Sequence, residues 1–318
     1  MVRRFGRRDF VKLSALGAGA MMLPWGCATT TTKARKPDFS AAFMTDMHVY
    51  DEKKAAEGFE TCLRYAMDRP DPAQFIITGG DLAMDILATG VEEADAQYEL
   101  YFGAIDRTVN VPVHHVIGNH DTLGVYKDSG LTPDHPKFGK TYFLERFKQD
   151  KPYKSFDHDG WHFVLLDTVG IDVENRDYYG HIDEEQLRWL DDDLASANKP
   201  TVIAMHIPLL TSYNERREGI EKPDHKKAVV GNVPQVIDVM EKHPVKLVLG
   251  GHLHINESYT FRGIEYANIG AVSGRWWRGA RDGFEEGYAR LEFFGDRVRW
   301  RYVDYGWEVE EEAQQKAG

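Results

Sequence analysis

The sequence predicts an α/β fold in which parallel strands alternate with helices and polar motifs follow the strands. Short, uninterrupted apolar runs alternate with stretches of helical periodicity over residues 41–117. Such runs are typical of strands covered on both faces, and a β-α-β-α-β order favours parallel strands with right-handed crossovers. Several of the runs are followed within a few residues by aspartate, asparagine or histidine. This placement indicates a functional site at the strand ends.

The first part of the chain is predicted as three strands separated by two helices. Phe59, Leu63 and Met67 recur at the spacing of one helix face. The predicted strands cover residues 41–45, 74–78 and 111–117, and the predicted helices cover residues 55–68 and 91–108. This order is the one expected of parallel strands joined by helical crossovers.

The second part of the chain is less regular. A helix is predicted over residues 136–148, and a strand pair follows that turns at Asp159-Gly160. Asp183 is a favourable N-cap for a helix over residues 184–194, in which leucines form the apolar face. Further strands are predicted at residues 154–156, 161–167, 202–205 and 245–249, followed after residue 257 by short alternating strands.

One folded domain is predicted between two terminal segments. The export signal covers residues 1–28, a linker covers residues 29–38, and an acidic tail covers residues 309–318. The domain covers residues 39–308, and within it residues 258–304 mainly form strands of a second sheet. With 318 residues, of which 42% are hydrophobic, the chain has enough material for one large core.

The N-terminal segment predicts export by the twin-arginine machinery. Arg7 and Arg8 are followed by Phe10 and Lys12 and then by a short apolar run. A basic amphipathic anchor is the alternative interpretation. Small residues around Cys27 suit ordinary signal cleavage, whereas lipid attachment at Cys27 would make the product a lipoprotein. The expected location is periplasmic or otherwise extracytoplasmic.

The charge and hydropathy of the chain exclude two kinds of partner. The formal net charge is −12, which repels nucleic-acid phosphates and anionic lipid head groups. We therefore expect no nucleic-acid partner. Beyond the N-terminal segment, no apolar run reaches the roughly 18 residues that a membrane span requires, so no transmembrane span is expected after removal of the signal.

Five short motifs follow predicted strands in a fixed order along the chain. In open α/β sheets, ligands bind beyond the carboxyl ends of the strands, so loops from different strands bring distant motifs into one pocket. Glycines in the motifs permit tight turns that aim the next side chain inward. The motifs are Asp46-Met-His48, Gly80-Asp81, Gly118-Asn119-His120-Asp121, the single His206, and Gly251-His252-Leu-His254.

The ligand types in these motifs predict a centre with two divalent metal ions. Two ions about 3.5–4 Å apart clamp a phosphate and share a bridging hydroxide. Such a centre needs one carboxylate that bridges both ions, together with imidazole and oxygen ligands. This mixture favours Zn, Fe, Mn, Co or Ni over Ca or Mg. Under the alternative, a purely structural role, so many polar groups would be buried without partners at a high cost in free energy.

The order of the motifs resembles the calcineurin-like metallophosphoesterase superfamily, which includes class III cyclic-nucleotide phosphodiesterases and purple acid phosphatases. The resemblance covers residues 40–256. It implies a four-layer α/β/β/α sandwich of two mixed β-sheets flanked by helices, with two divalent ions (Mn, Fe, Zn or a mixture) at the strand C-terminal ends. By this resemblance, one ion is held by Asp46, His48 and His254, the other by Asn119, His206 and His252, and Asp81 bridges them.

The same resemblance assigns roles to the two residues after Asn119. His120 corresponds to a histidine that contacts the transferred phosphoryl oxygen or protonates the leaving group, and Asp121 would hold its imidazole in orientation. Purple acid phosphatases carry a tyrosine three residues after the bridging aspartate, where this chain has Met84. We therefore expect no tyrosinate-to-iron absorption band and exclude the purple subgroup.

A loop in the last quarter of the chain is the candidate for substrate recognition. Residues 270–279 look similar to exported bacterial members of the family. Arg275 and Arg278 would meet phosphate charge, and Trp276 and Trp277 would stack on a base or a sugar. The alternative is that the two large aromatic side chains pack the second sheet.

The predicted reaction is hydrolysis of a small-molecule phosphoester outside the cytoplasm. A hydroxide that bridges two metal ions would attack phosphorus in line, and His120 would assist the leaving oxygen. The Gly-Asn-His-Asp and Gly-His-Leu-His sequences favour a phosphodiesterase over an exported phosphomonoesterase. An alternative of another class is a non-catalytic, metal-containing binding or scaffold protein of the cell envelope.

Overall fold

The structure is a computed structural model that describes residues 35–219 and 226–309. The predicted export signal with Cys27, residues 29–34 of the predicted linker and all but the first residue of the acidic tail lie outside the described residues. In the described part of the chain, no helix is both long enough and apolar enough to cross a membrane.

The described strands form two large sheets and one separate hairpin. The hairpin consists of β6 (Val169–Asp172) and β7 (Asp177–Gly180). The other strands are β1 (Phe39–Met44), β2 (Ile76–Thr78), β3 (Val113–His115), β4 (Lys154–His158), β5 (Trp161–Leu165), β8 (Thr201–Ala204), β9 (Val245–Gly250), β10 (Glu257–Phe261), β11 (Ile264–Asn268), β12 (Gly287–Phe294) and β13 (Arg297–Asp304).

Both large sheets are mixed, as predicted. The five-stranded sheet has the order β13-β12-β1-β2-β3, with β1, β2 and β3 parallel and the other two strands antiparallel to their neighbours. The six-stranded sheet has the order β10-β11-β9-β8-β5-β4, in which the four central strands are parallel and both edge strands antiparallel. The predicted parallel arrangement of the first three strands is thereby confirmed.

The helices agree with the prediction where the sequence pattern is long. The second helix has the predicted bounds, and Asp183 caps the fourth, since its side chain accepts a hydrogen bond from the Gln186 N–H at 2.8 Å. The two helices after residue 210 and the β6–β7 hairpin were not predicted. The α-helices are α1 (Ala55–Met67), α2 (Val91–Thr108), α3 (Lys140–Phe147), α4 (Glu184–Ala197), α5 (Tyr213–Glu218) and α6 (Val233–Met240).

The core confirms the four-layer α/β/β/α order. Along β1, Ala41 and Phe43 join an apolar cluster between the two sheets, whereas Ala42 and Met44 face the cluster that α1 and α2 cover. Along β8, Val202 likewise faces the space between the sheets, whereas Ile203 faces the apolar cluster that α4 and α6 cover. This alternation follows from the period of two in a strand, and it buries both faces of each sheet.

The last four strands divide between the two sheets, which corrects one prediction. Only β10 and β11 join the six-stranded sheet, whereas β12 lies antiparallel beside β1 and β13 beside β12. The expectation that residues 258–304 mainly form one second sheet is therefore wrong for β12 and β13. The reason is that β12 occupies the side of β1 opposite β2, where its Leu291 and Phe293 also pack between the sheets.

Candidate dimetal centre

The five motifs meet where the parallel strands of the two sheets end. Asp46, Asp81 and Asn119 follow β1, β2 and β3, and His206 and His252 follow β8 and β9. Because the carboxyl ends of parallel strands share one edge of a sheet, motifs far apart in sequence converge there. The structure brings the predicted ligands together as two groups that share Asp81.

The first group consists of Asp46, His48 and His254. The Nε2 atom of His254 lies 3.2 Å from His48 Nε2 and 3.2 Å from Asp46 Oδ1. The Nδ1 atoms of His48 and His254 face the carbonyl oxygens of Met84 (3.1 Å) and Gly274 (2.6 Å), so each carries its proton on Nδ1. Burial lowers the pKa of His48 to about 3. Three lone-pair atoms therefore face one another, and a bound cation would satisfy all three.

The second group consists of His206, His252 and Asn119. His206 Nδ1 donates to the Gly79 carbonyl oxygen at 2.8 Å, so its Nε2 faces Asn119 Oδ1 at 3.0 Å and Asp81 Oδ1 at 3.1 Å. Although burial lowers the pKa of His206, the Asp81 charge outweighs it and raises the pKa to about 9. These carboxylate and amide oxygens thus require positive charge at this point, which a metal ion would supply.

Asp81 faces both groups. Its Oδ2 lies 3.6 Å from His48 Nε2 in the first group, and its Oδ1 lies 3.1 Å from His206 Nε2 in the second. The His120 backbone N–H donates to Asp81 Oδ1 at 2.9 Å and helps to hold the carboxylate. Burial raises the pKa of Asp81, but the charges of His206 and His120 lower it well below its usual range. An ionised carboxylate whose two oxygens face different ligand groups has the geometry of a bridging ligand.

Five of the seven predicted ligands adopt left-handed backbone conformations. Left-handed conformations of non-glycine residues cost roughly 1–2 kcal/mol each and persist only where the surrounding structure enforces them. Such strain is typical of functional sites, so it indicates function independently of the ligand types. The strained ligands and their φ angles are Asp46 (57°), His48 (46°), Asp81 (53°), His252 (72°) and His254 (56°).

Two glycines allow the ligand loops to approach each other. A Cβ atom on Gly118 would lie 2.2 Å from Asp81 Oδ1, and one on Gly251 would lie 2.0 Å from the Thr45 hydroxyl oxygen and 2.7 Å from Asp46 Oδ2. All three distances are far shorter than van der Waals contact. The glycines of the motifs are therefore required for close approach as well as for the predicted turns.

Asp121 does not contact the His120 ring, which corrects a second prediction. Its carboxylate is fully buried, and both oxygens accept hydrogen bonds from groups other than the His120 ring. It therefore stabilises the turn that carries Asn119 and His120, a single 3₁₀ turn over Asn119–Asp121. Its hydrogen-bond donors are the backbone N–H groups of Leu82 (3.0 Å), Ala83 (3.4 Å) and Gly118 (2.8 Å) and the Tyr98 hydroxyl (2.9 Å).

Asp85 takes the place beside His120 that was predicted for Asp121. Asp85 Oδ1 lies 3.5 Å from His120 Nδ1, and the His120 side chain is 23% exposed at the edge of the site. Burial lowers the pKa of His120, but Asp81 and Asp85 outweigh it and raise the pKa to about 9. Sequence reasoning missed Asp85 because it lies in a loop with no motif of its own.

An open cavity of about 400 Å³ leads to the two ligand groups. One wall contains Tyr178 and Lys227, whose Nζ lies 4.9 Å from the Tyr178 ring and 2.6 Å from Asp177. The other wall contains Tyr213, Trp276 and Arg281. The lining residues are His48, Asp81, His120, Tyr178, Tyr213, Asn214, Lys227, Ala228, His252, Leu253, His254, Trp276 and Arg281.

Of the four residues predicted to contact substrate, the structure places only Trp276 in the cavity. Its ring centroid lies 5.0 Å from that of His254 and 6.1 Å from that of His48. Trp277 is buried, and its indole N–H points at the carbonyl oxygens of Met47 and His48 at 3.0 Å each. The prediction is therefore wrong for Trp277, which packs behind the centre.

The two arginines predicted beside these tryptophans lie elsewhere. Arg275 and Arg278 are exposed and are absent from the cavity lining, and Arg278 borders a different surface depression near Trp307. Arg281, three residues after Arg278, instead lines the cavity where Arg275 and Arg278 had been expected. Sequence reasoning missed Arg281 because nothing in the local sequence distinguishes it from Arg275 and Arg278.

Comparison with known proteins agrees with this site. A family model described as Calcineurin-like phosphoesterase matches residues 39–256. A probable cyclic nucleotide phosphodiesterase of Rhodococcus erythropolis is 27% identical over 198 residues, which is 62% of this chain and 55% of that protein. Another, from Xenorhabdus bovienii, is 25% identical over 206 residues, which is 65% of this chain and 71% of that protein. The match thus spans about half the length of the first relative.

The fold is also found among solved structures. A dimetal phosphatase from Danio rerio superposes with a TM-score of 0.62 at 17% identity, over 85% of this chain and 98% of that chain. At this identity the likeness concerns the fold alone. The matched family segment contains all seven predicted ligands, which form the candidate clusters for two divalent ions. This chain therefore belongs to the calcineurin-like phosphoesterase family.

Proposed function

We propose that this protein is a metal-dependent phosphodiesterase that acts on a small-molecule phosphoester. The observation that carries the proposal is Asp81, whose two carboxylate oxygens face two separate ligand groups at an open cavity. The names of the Rhodococcus and Xenorhabdus relatives favour diester substrates. The alternative is a phosphomonoesterase, because the same metal ligands can serve monoester and diester hydrolysis.

The ligand groups fit two divalent ions. When bound, the ions would activate a water molecule for in-line attack on phosphorus and neutralise charge on the phosphoryl oxygens. The mixture of imidazole, carboxylate and amide ligands favours Mn, Fe or Zn over Ca or Mg. One ion would be held by Asp46, His48 and His254, the other by Asn119, His206 and His252, and both by Asp81.

His120 would act as the general acid in this proposal. It lines the cavity beside the first ligand group, with its ring centroid 4.9 Å from that of His48. Asp81 and Asp85 outweigh the effect of burial and raise its pKa to about 9, so the imidazole carries a proton at neutral pH. That proton would pass to the leaving ester oxygen, and Asp85 would hold the ring in position. The imidazole would then regain a proton from solvent.

Hydrolysis of two chromogenic esters tests the proposal. Protein reconstituted with Mn, Zn or Fe is assayed with bis-p-nitrophenyl phosphate and with p-nitrophenyl phosphate. Faster cleavage of the diester supports a phosphodiesterase, and faster cleavage of the monoester assigns the protein as a phosphatase. Metal binding without cleavage of either ester would contradict the proposal and favour the scaffold alternative.

His120→Ala separates catalysis from metal binding. The His120 side chain is not among the proposed ligands, so this variant should keep its metal content while turnover falls by roughly 10²–10⁴-fold, the usual contribution of a general acid. Asp81→Ala serves as the matched variant and should lose metal. Metal content is measured by inductively coupled plasma mass spectrometry on the same samples as the assay.

We also propose that the chain is exported by the twin-arginine machinery. The support is the sequence Arg7-Arg8 before the apolar run of residues 13–23. A double Arg7→Lys, Arg8→Lys variant should stay inside cells that export the parent chain, as measured by cell fractionation. Mass spectrometry of the exported protein distinguishes a cleaved soluble product from one that carries lipid on Cys27.

A further inference from the structure

Arg281 places a positive charge on the cavity wall. Its guanidinium carbon lies 4.8 Å from the ring centroid of Trp276 and 5.8 Å from that of Tyr213, and its Nη2 donates to the Tyr213 hydroxyl at 2.7 Å. Within the described ranges, no carboxylate forms an ion pair with Arg281. The cation therefore rests on aromatic rings, which support a guanidinium but do not neutralise it.

The backbone around Arg281 is tightly constrained. Arg281 and Phe284 exchange two backbone hydrogen bonds of 2.9 Å each, and the two residues between them, Asp282 and Gly283, have φ angles of 50° and 87°. Positive φ at both central residues is typical of a type I′ turn, for which an Asp-Gly pair is favoured. Arg281 is thus held in place before any ligand binds, which reduces the entropy cost of binding.

A second arginine adds to the positive charge at this wall. Arg217 Nη1 donates to the same Tyr213 hydroxyl at 2.9 Å, and it lies 3.5 Å from Asp282 Oδ2. Only Arg281 of the two lines the cavity. Arg281 is half-buried there, so its guanidinium is open to an anion that enters the cavity.

Trp276 connects this cation to the proposed metal centre. Its ring lies next to His254 of the first ligand group and next to the Arg281 guanidinium, at 5.0 Å and 4.8 Å respectively. A substrate whose scissile phosphate lies at the ligand groups would extend one ester substituent along Trp276. A second anionic group on that substituent would then reach Arg281 and the Tyr213 hydroxyl.

We infer that Arg281, Tyr213 and Trp276 form a second subsite, which binds an anionic group of the substrate other than the scissile phosphate. The inference rests on the proposed function and narrows its substrate class to phosphoesters that carry a further phosphate or comparable anion on one ester substituent. The guanidinium of arginine presents several N–H donors in a planar fork that matches phosphate oxygens.

Two esters that differ in one phosphate test this inference. They are thymidine 5′-(p-nitrophenyl phosphate) and the same ester with an additional 3′-phosphate. Because a charge-assisted hydrogen bond contributes about 1.5–3 kcal/mol, the parent protein should cleave the second ester with a kcat/KM roughly tenfold or more above the first. Arg281→Gln should bring the ratio close to one, and Arg281→Lys should give an intermediate ratio.

Arg299→Ala is the matched control. Arg299 also rests on an aromatic ring, 5.4 Å from Phe294, but it is exposed on β13 and does not line the cavity. Its substitution should leave the ratio between the two esters unchanged. Inhibition of the parent protein by thymidine 3′,5′-bisphosphate, compared with thymidine 5′-monophosphate, gives the same information without any variant, should Arg281→Gln fail to fold.

The outcomes separate this inference from the proposed function. Cleavage of both esters at equal kcat/KM, or a preference that survives Arg281→Gln, would overturn the second subsite and leave the phosphodiesterase proposal intact. Cleavage of neither ester by metal-loaded protein, together with no cleavage of bis-p-nitrophenyl phosphate, would count against the proposed function itself. Tighter inhibition by the bisphosphate than by the monophosphate supports the subsite.

Discussion

The metal-ligand groups and the loop of residues 274–286, here called the recognition loop, border the same cavity but are built differently. The ligand side chains follow parallel strands of the two sheets and are largely buried. The recognition loop is held by contacts with segments distant in sequence. Trp277 donates to the carbonyl oxygens of Met47 and His48, and Arg281 donates to Tyr213.

This difference shows which parts of a site follow from strand order. Parallel strands fix where their ends lie, so a motif directly after a strand has little choice of position. In the recognition loop, Trp276 and Trp277 are adjacent and both adopt positive φ (51° and 63°), yet one lines the cavity and the other is buried. Their positions depend on distant contacts, not on local pattern.

The largest effect is expected at the residue that the two ligand groups share. Asp81→Asn keeps the size of the side chain but removes the negative charge between His48 and His206. We expect loss of metal from both groups and a fall in kcat/KM of roughly a thousandfold, equivalent to about 4 kcal/mol of transition-state stabilisation. Metal analysis and assay of bis-p-nitrophenyl phosphate measure both. Retention of two metals would contradict the bridging role.

The next effect distinguishes two carboxylates that flank His120. Asp85→Asn should lower kcat by about 10–100-fold with little loss of stability, because it removes the partner of the His120 ring, in the manner of other orienting carboxylates. Asp121→Asn should instead lower the free energy of unfolding by about 1–3 kcal/mol, since a fully buried acceptor of four hydrogen bonds is altered.

Steady-state kinetics and urea unfolding of both variants check this assignment. If Asp121→Asn lowers kcat without lowering the free energy of unfolding, and Asp85→Asn changes neither quantity, then Asp121 is the residue that orients the His120 ring. The comparison is internal, because both substitutions replace a carboxylate by an amide of the same shape within the same site.

The fold and the ligand positions were predictable from the sequence because the signals are local and repeated. Uninterrupted apolar runs and one-sided helix periodicity located β1 to β3, α1 and α2, and the motifs lie directly after strands. Asp85 and Arg281 were not predictable. Arg281 meets its partner Tyr213 across 68 residues of sequence, and no local pattern encodes that contact.

The division of the last strands between the sheets was also beyond the sequence pattern. β11 and β12 both belong to the region predicted as short alternating strands, and nothing in their composition says which sheet each will extend. The choice depends on which edge is open: β12 pairs with β1, whose other side is taken by β2, and β11 pairs with β9. Edge availability is a property of the assembled sheets.

A smaller effect is expected within the recognition loop. Trp277→Phe keeps most of the buried ring but removes the indole N–H that points at the carbonyl oxygens of Met47 and His48. We expect a loss of about 1–3 kcal/mol in the free energy of unfolding, measured by urea denaturation. Trp276→Phe, at the half-buried cavity residue, should cost less stability and should instead raise KM. An equal loss of stability in both variants would contradict the division between them.

The smallest effect concerns Glu286, at the C-terminal end of the recognition loop. Its side chain is only 2% exposed, and Oε1 has no hydrogen-bond partner among the residues that the structure describes. Burial, reinforced by the charges of Glu285 and Asp304, raises the pKa of Glu286 from 4.5 to about 7. The folded state therefore favours the protonated carboxyl. The associated stability is fully present below pH 4.5 and is lost as the pH rises through about 7.

Glu286→Gln should remove this pH dependence, because the amide stays neutral throughout. We expect the thermal midpoint of the variant to match that of the parent protein near pH 5 and to exceed it at pH 8. Glu285→Gln, at the exposed neighbour, controls for the loss of one negative charge and should give a much smaller difference. Parallel profiles of the parent and Glu286→Gln between pH 5 and pH 8 would show that the buried carboxyl does not titrate there. A difference confined to the Glu286 variant would assign the pH dependence of stability to the end of the recognition loop and not to the metal-ligand groups.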